Sequence, residues 1–177
     1  FVWQLIEKFK SLSGASLAHV VDLGCGTGDT LLRFAAHGIG VTGIDFSAVA
    51  LQAAKEKLAA SGNRAVFIAA DLANLDQVKT TTPTGTLWLC KSVLAFIPDK
   101  EKFLQQVRDK MTLGDMLLVM TPVWHDQIVY QPEDKPGIAI RLEEMEQLMS
   151  TVFKSPRIFS DEYPGERGHI ISYLIKK

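Results

Sequence analysis

Residues 20–28 read VVDLGCGTG: an acid, Asp22, then glycines at every second place, Gly24, Gly26 and Gly28. Glycine loses more backbone freedom on folding than any other residue, so such a cluster needs a reason. Chemistry offers one: a ligand lying directly on the main chain, where a side chain would obstruct it. Two further acids close the next apolar runs, Asp45 in GIDF and Asp71 in IAAD. Asp45 follows the glycines by about twenty residues, the interval at which a carboxylate commonly takes ribose hydroxyls. Asp71 is then placed for an adenine edge. The three acids read as a rail of acceptors for a nucleoside.

The glycine spacing narrows the choice of nucleoside. A nicotinamide or flavin dinucleotide calls for G-x-G-x-x-G, with its pyrophosphate on the helix that follows. Here the pattern is G-x-G-x-G, and Asp29 stands where the third dinucleotide glycine belongs. An anion at a helix amino end repels a pyrophosphate expected there. The site prefers an adenosine without phosphates.

These residues must be set by strands and helices in alternation. Helical apolar spacing covers residues 2–12, and a short strand 19–24 stops at glycine. Helix 29–37, strand 40–46, a helix from Ser47 to Gly62 and strand 64–71 follow. Residues 76–86 are a loop, with room for a short helix before it. Strand 86–92, a helix opened by Pro98 and Asp99, and strand 115–122 come next. A loop spans 123–141, before a helix over 142–153 and strands 156–163 and 168–176 joined by PGERG. Strands apolar on both faces with helices between them predict a parallel sheet covered on both sides. The tight last turn predicts an antiparallel pair. The expected fold is a Rossmann-like three-layer α/β sandwich: a seven-stranded, mostly parallel sheet with an antiparallel C-terminal hairpin strand. It forms one domain over residues 1–177. The chain opens on Phe1 inside a helical pattern, so a preceding segment is expected to be missing.

With these segments in this order, the chain resembles the class I S-adenosylmethionine-dependent methyltransferases. VVDLGCGTG matches their glycine motif, GIDFSAVAL their second-strand acid, and FIAADLANL their third-strand motif. LCKSVLAFIPD matches the fourth-strand segment. The resemblance implies S-adenosylmethionine as cofactor and a set of roles. Gly24, Gly26 and Gly28 let the methionyl part pass over the turn, and Asp22 supports its ammonium. Asp45 holds the ribose, with Phe46 flanking the adenosine. Asp71 accepts from the adenine amino group, and Leu72 supplies a main-chain N–H. Lys91 lies near the cofactor carboxylate or the reacting centre, or is simply a solvated strand end. Cys25 and Cys90 are expected to pack rather than to attack, Cys25 within the cofactor turn.

What receives the methyl is less legible. The subgroup that methylates amino groups carries Asn/Asp-Pro-Pro-Tyr/Phe after the fourth strand, whereas this chain reads LCKSVLAF. Net charge is -1, from 19 Lys+Arg and 20 Asp+Glu, so no basic excess awaits a phosphate backbone. A small-molecule acceptor is expected, with no nucleic acid and no membrane partner, in a monomer or homodimer. Trp124, His125 and Tyr130 in the long loop, and Trp3 in the first helix, are the candidates for acceptor contact. No catalytic residue is assigned; His125 is a weak candidate base or a solvated loop histidine. The two cysteines make no disulfide framework, so the cytosol is the expected location. No His/Cys cluster has metal-ligand spacing. A nicotinamide-dependent oxidoreductase and a non-catalytic module that binds S-adenosylmethionine are the alternatives.

Overall fold

The computed structural model describes residues 2–124, 138–153, 157–165 and 168–177, with side chains at 4, 6–124, 138–153 and 170–177. Its strands are β1 His19–Leu23, β2 Gly40–Asp45, β3 Ala65–Ala69, β4 Thr86–Lys91, β5 Met116–Trp124, β6 Ile140–Arg141, β7 Arg157–Gly165 and β8 Gly168–Lys176. Its helices are α1 Val2–Ser13, α2 Asp29–Ala35, α3 Ala48–Ala60, α4 Lys100–Lys110 and α5 Leu142–Val152. Seven strands run in the order β3-β2-β1-β4-β5-β8-β7, and β6 pairs with β5 in addition. β1 to β5 are parallel along this path, whereas β8 is antiparallel to β5 and to β7. The expected sandwich is therefore the observed one. The order turns outward in both directions from the β1–β4 pair, the switch point beyond which ligands bind in such sheets.

Two apolar layers hold the sheet. On one face Phe9 of α1, Leu31 and Phe34 of α2 and Leu51 and Leu58 of α3 pack on Val20, Leu87, Leu89 and Leu118. On the other, Phe103, Leu104 and Val107 of α4 and Met145 and Met149 of α5 pack on Val21, Trp88, Val119 and Tyr173. Residues alternate between the layers along each strand, which is why the strands read apolar on both faces.

Local chemistry sets the helix starts. Ser47 Oγ accepts from Ala50 N at 3.2 Å and opens α3; Asp99 Oδ1 accepts from Lys102 N at 3.0 Å and opens α4. A short 3-10 helix, Leu72–Gln77, precedes the threonine-rich loop.

Three of the differences from expectation bear on how the sheet edge is built. β3 stops at Ala69, so Asp71 lies beyond the strand as the cap of that 3-10 helix, its Oδ1 accepting from Ala73 N at 2.9 Å. β5 runs on to Trp124, because β8 stays paired with it as far as Val123 opposite His169. Residues 140–141, read as loop, are β6: their backbone pairs parallel with Val123 and Trp124. At the amino ends of the strands Asp115 is fully buried. Its carboxylate accepts from Thr86 N at 2.9 Å, Thr112 N at 2.8 Å, Thr112 Oγ1 at 3.1 Å and Trp88 Nε1 at 3.4 Å. Nothing in the sequence singled it out.

Candidate functional site

The turn after β1 is stitched to β2 from both sides. Gly24 N and Cys25 N both donate to Ile44 O, at 2.7 and 3.1 Å. Asp45 completes the seam: Oδ2 accepts from Gly26 N at 2.8 Å and Oδ1 from Ser47 N at 2.9 Å. Asp45 thus braces the glycine turn, a role the sequence did not reveal. Each oxygen keeps a second lone pair for a further donor.

All three glycines have left-handed backbone, with φ of 80°, 52° and 78° at Gly24, Gly26 and Gly28. Their surroundings differ. A Cβ at Gly24 would meet Val93 Cγ2 at 2.3 Å, and one at Gly28 would meet Ala54 Cβ at 2.9 Å. The chain itself presses on those two positions. A Cβ at Gly26 would meet nothing within 4 Å, so this glycine faces open space.

That space is a cleft of about 250 Å³ lined by Asp22, Gly24, Cys25 and Gly26 on the β1 side and by Lys91 and Ser92 at the end of β4. Asp29 and Thr30 close it at the start of α2. Five of the expected site residues therefore meet in one place. Asp22 is 4% exposed. Burial pushes its carboxyl up to about 7; Lys91 opposes this and Asp45 adds to it. Asp29 instead is solvent-exposed and bonded to Lys57 Nζ at 2.6 Å. Hydrogen bonds from Lys57 and Thr27 hold its carboxyl low, so an anion guards the amino end of α2. Burial pushes the Cys25 and Cys90 thiols up to about 12, as befits packing residues. Ser92, missed by sequence reasoning, has φ of 58°, the only left-handed non-glycine among the described residues. Its N–H donates to Met120 O at 2.8 Å, which holds the strained residue at the cleft wall.

The other expected residues lie along the same carboxyl edge, outside this cleft. Phe46, after β2, leaves 82% of its surface exposed, a flat apolar platform beside Asp45. Asp71 is exposed and Leu72 buried at the foot of the 3-10 helix. Ala70 N donates to Asp45 O at 3.0 Å, tying that segment to the end of β2. Gly28 faces α3 rather than the cleft.

Of the residues expected to contact an acceptor, Trp124 ends β5, with the guanidinium carbon of Arg141 4.8 Å from its ring centre. Phe96 is 62% exposed in the short turn Leu94–Phe96 after β4. Arg141 carried no periodic or motif signal, and Phe96, though inside the fourth-strand segment, was assigned no role. Trp3 lies in α1, while His125 and Tyr130 lie outside the described residues. Among the described residues no group of His, Cys, Asp or Glu could hold a metal ion, and no helix is long and apolar enough to cross a membrane.

A glycine turn braced by the second-strand acid, at the switch point of a sheet in this order, defines a class I methyltransferase fold. A family model described as a methyltransferase domain matches residues 15–162, and the chain belongs to that family. Two curated relatives are similar over stretches of about equal length. The trans-aconitate 2-methyltransferase of Paracidovorax citrulli (strain AAC00-1) is 36% identical over 113 residues, 63% of this chain and 40% of that protein. The ubiquinone biosynthesis O-methyltransferase of Nitrosomonas europaea is 34% identical over 111 residues, 62% of this chain and 46% of that protein. The matched stretch therefore spans less than half the length of either relative. Among solved structures, the plantazolicin methyltransferase BamL, in complex with a triazolic desmethylPZN analog and SAH, superposes with a TM-score of 0.76 at 16% identity. That match covers 99% of this chain and 83% of BamL. The cyclase SpnF superposes at 0.71 with 15% identity, over 98% of this chain and 80% of SpnF. At these identities the likeness is one of fold.

Proposed function

We propose that this chain is, as one domain, the S-adenosylmethionine-binding part of an enzyme that methylates a small molecule. The observation that carries this reading is Gly26: a left-handed glycine with open space where its Cβ would be, at the floor of a cleft between a buried acid and a lysine. A cationic amino-acid tail fits such a floor. Asp22 faces the ammonium, Lys91 the carboxylate, and the Gly26 backbone lies beneath. The nucleoside then extends along the edge past Asp45, Phe46, Asp71 and the Leu72 main chain. Asp29 disfavours the pyrophosphate of a nicotinamide cofactor at the same turn.

The cofactor, when bound, supplies a methyl group already activated by its sulfonium. The protein's part is to hold an acceptor atom in line with it and to keep water away. A base helps only where the acceptor must lose a proton. The lining of the described cleft includes no histidine, and His125 stays the candidate for that role. Trp124, Tyr130, Trp3 and Phe96 are proposed to shape the acceptor pocket. The relatives' names, one on a small organic acid and one on a quinone precursor, support a small-molecule acceptor rather than nucleic acid. The cytosol as location and a monomer or homodimer as assembly belong to the same reading.

Calorimetry with S-adenosylmethionine, its demethylated product and the nicotinamides tests the cofactor. Binding of a nicotinamide, with none of S-adenosylmethionine, sinks the reading. Methyl transfer from labelled cofactor to a panel of small acceptors separates a methyltransferase from a non-catalytic binding module.

A further inference from the structure

The sheet is not covered evenly. β1, β2 and β4 are buried along almost their whole length, whereas no residue of β3 is fully buried. β3 ends the strand order, paired with β2 alone. Val66 leaves 55% of its surface exposed, and Ala65 and Phe67 are only half-buried on the face that α3 covers. Between α3 and the first residues of β1, β2 and β3 this leaves a groove of about 650 Å³, against about 250 Å³ for the cofactor cleft. That volume is in the range of small-molecule sites. The groove is at the amino ends of the strands, whereas the glycine turn follows the carboxyl end of β1.

Its walls are apolar: Leu58 and Ala59 of α3 on one side, Val41, Ala65 and Phe67 of the sheet on the other. His19 adds a fixed ring. Its Nε2 is hydrogen-bonded with Thr42 Oγ1 at 2.9 Å, and a Cβ at Gly40 would stand 2.6 Å from its Nδ1. Gly40 is not left-handed, so glycine there makes room for the imidazole. Burial holds that imidazole below the ordinary histidine range, so the ring is neutral at pH 7. Two exposed cations complete the lining: Lys55, one turn before Leu58 and Ala59 on α3, and Arg64, just ahead of β3. Among the described residues neither has an ion pair or a side-chain hydrogen bond. No Asp or Glu lines the groove.

An apolar trough gains by taking a hydrocarbon body out of water, roughly in proportion to the area covered. Two unpaired cations with no carboxylate among them favour a negative head on that body. We infer that this groove is a second ligand site, separate from the cofactor cleft, and that it binds an amphipathic organic anion: a hydrocarbon body bearing a carboxylate. Lys55 and Arg64 hold the carboxylate; Leu58, Ala59 and Phe67 hold the body. The inference goes beyond the methyltransferase reading and does not depend on it.

The test titrates the full-length protein, by calorimetry, with linear alkanoates from butanoate to decanoate and with their amides, in the presence and absence of the demethylated cofactor product. Affinity should rise about two- to fourfold per added methylene until the groove is filled. The tightest acid should bind about 5- to 30-fold more tightly than its amide, the worth of two exposed ion pairs. Lys55→Gln and Arg64→Gln should each weaken that acid about 2- to 5-fold and leave the amide unchanged, and the double variant should bind the two alike. Ala59→Trp, at an exposed helix position, should exclude both; thermal melts of each variant check that the fold is intact. The inference is overturned if no acid binds, if amides bind as well as acids, if the double variant keeps its preference for the acid, or if the cofactor product displaces the acid. It is also overturned if the natural protein dimerises and Ala59→Trp returns it to a monomer, since a second copy is then the occupant. Failure to bind the cofactor product at all overturns the methyltransferase reading instead.

Discussion

The three glycines of the turn can be separated by adding one methyl group to each. Any L-residue in left-handed backbone costs about 1–2 kcal/mol. Gly26→Ala carries that strain and nothing else, since its Cβ meets no atom within 4 Å. A domain of this size loses about 2–4 °C of Tm per kcal/mol, so Gly26→Ala should melt about 2–8 °C lower. Gly28→Ala carries the same strain and drives its Cβ to 2.9 Å from Ala54 Cβ and 3.3 Å from Leu58 Cδ1. Overpacking adds about 1–3 kcal/mol, for a fall of about 4–20 °C. Gly24→Ala forces Val93 aside from 2.3 Å and belongs with Gly28→Ala. Cofactor affinity should rank the other way. The Gly26 methyl stands on the cleft floor and should weaken S-adenosylmethionine at least tenfold, whereas Gly28→Ala should bind close to the natural protein. Thermal melts and calorimetry on the same samples decide it. A Gly26→Ala protein that binds the cofactor normally would refute the placement of the ligand on this turn.

Asp45→Asn removes a charged acceptor and turns an amide N–H toward the backbone N–H of Gly26 or Ser47. It should lose about 1.5–3 kcal/mol of stability and, once the turn slackens, 10- to 150-fold in cofactor affinity; unchanged values of both would contradict the bracing role. Asp22 has a folded pKa of about 7 against an ordinary 3.8, so the folded state holds its proton longer than the unfolded one. Stability conferred by this residue is therefore present below about pH 4 and lost as pH rises to 7, an upper bound of roughly 4 kcal/mol. Asp22→Asn should flatten that slope in pH-dependent melts of the cofactor-free protein, and parallel slopes would refute it. Asp115→Ala leaves buried donors of Thr86, Thr112 and Trp88 without their acceptor. It should cost about 3–5 kcal/mol while leaving cofactor affinity intact, because it lies at the opposite end of the strands; a matching loss of affinity would show the two ends to be coupled.

The fold was legible because its signals are local and repeated. The central strands are apolar on both faces, α3 and α4 open on the capping residues Ser47 and Asp99, and β7 pairs with β8 across a short connection. The cleft wall was legible for a related reason: Asp22, Gly24 and Gly26 are near neighbours in sequence, so one turn carries them into the cleft. What stayed hidden depends on contacts between distant segments. Two residues of β6 have no periodicity, and their pairing follows from β4 ending four residues short of Trp124 on β5. The left-handed backbone of Ser92 is imposed by its bond to Met120 O, which no propensity encodes. Asp71 looked like a strand end because apolar alternation runs up to it, yet its carboxylate is taken by Ala73 N.

The division of labour between Asp45 and Asp22 says how the site is prepared. Asp45 accepts from two backbone N–H groups, so its carboxylate is already hydrogen-bonded within the protein and fixes the shape of the turn before any ligand arrives. Asp22 is buried more deeply, 4% exposed against 8%, and burial lifts its carboxyl to about 7. A carboxylate in that position is costly until a cation stands beside it. Cofactor binding therefore need not order the glycine turn, which Ile44 O and Asp45 already hold. On the proposed placement of the cofactor, its electrostatic gain would be concentrated at Asp22, where an ammonium would relieve the cost of burial. A neutral tail would leave that cost in place, so on this proposal the turn that admits the ligand by shape would also select it by charge.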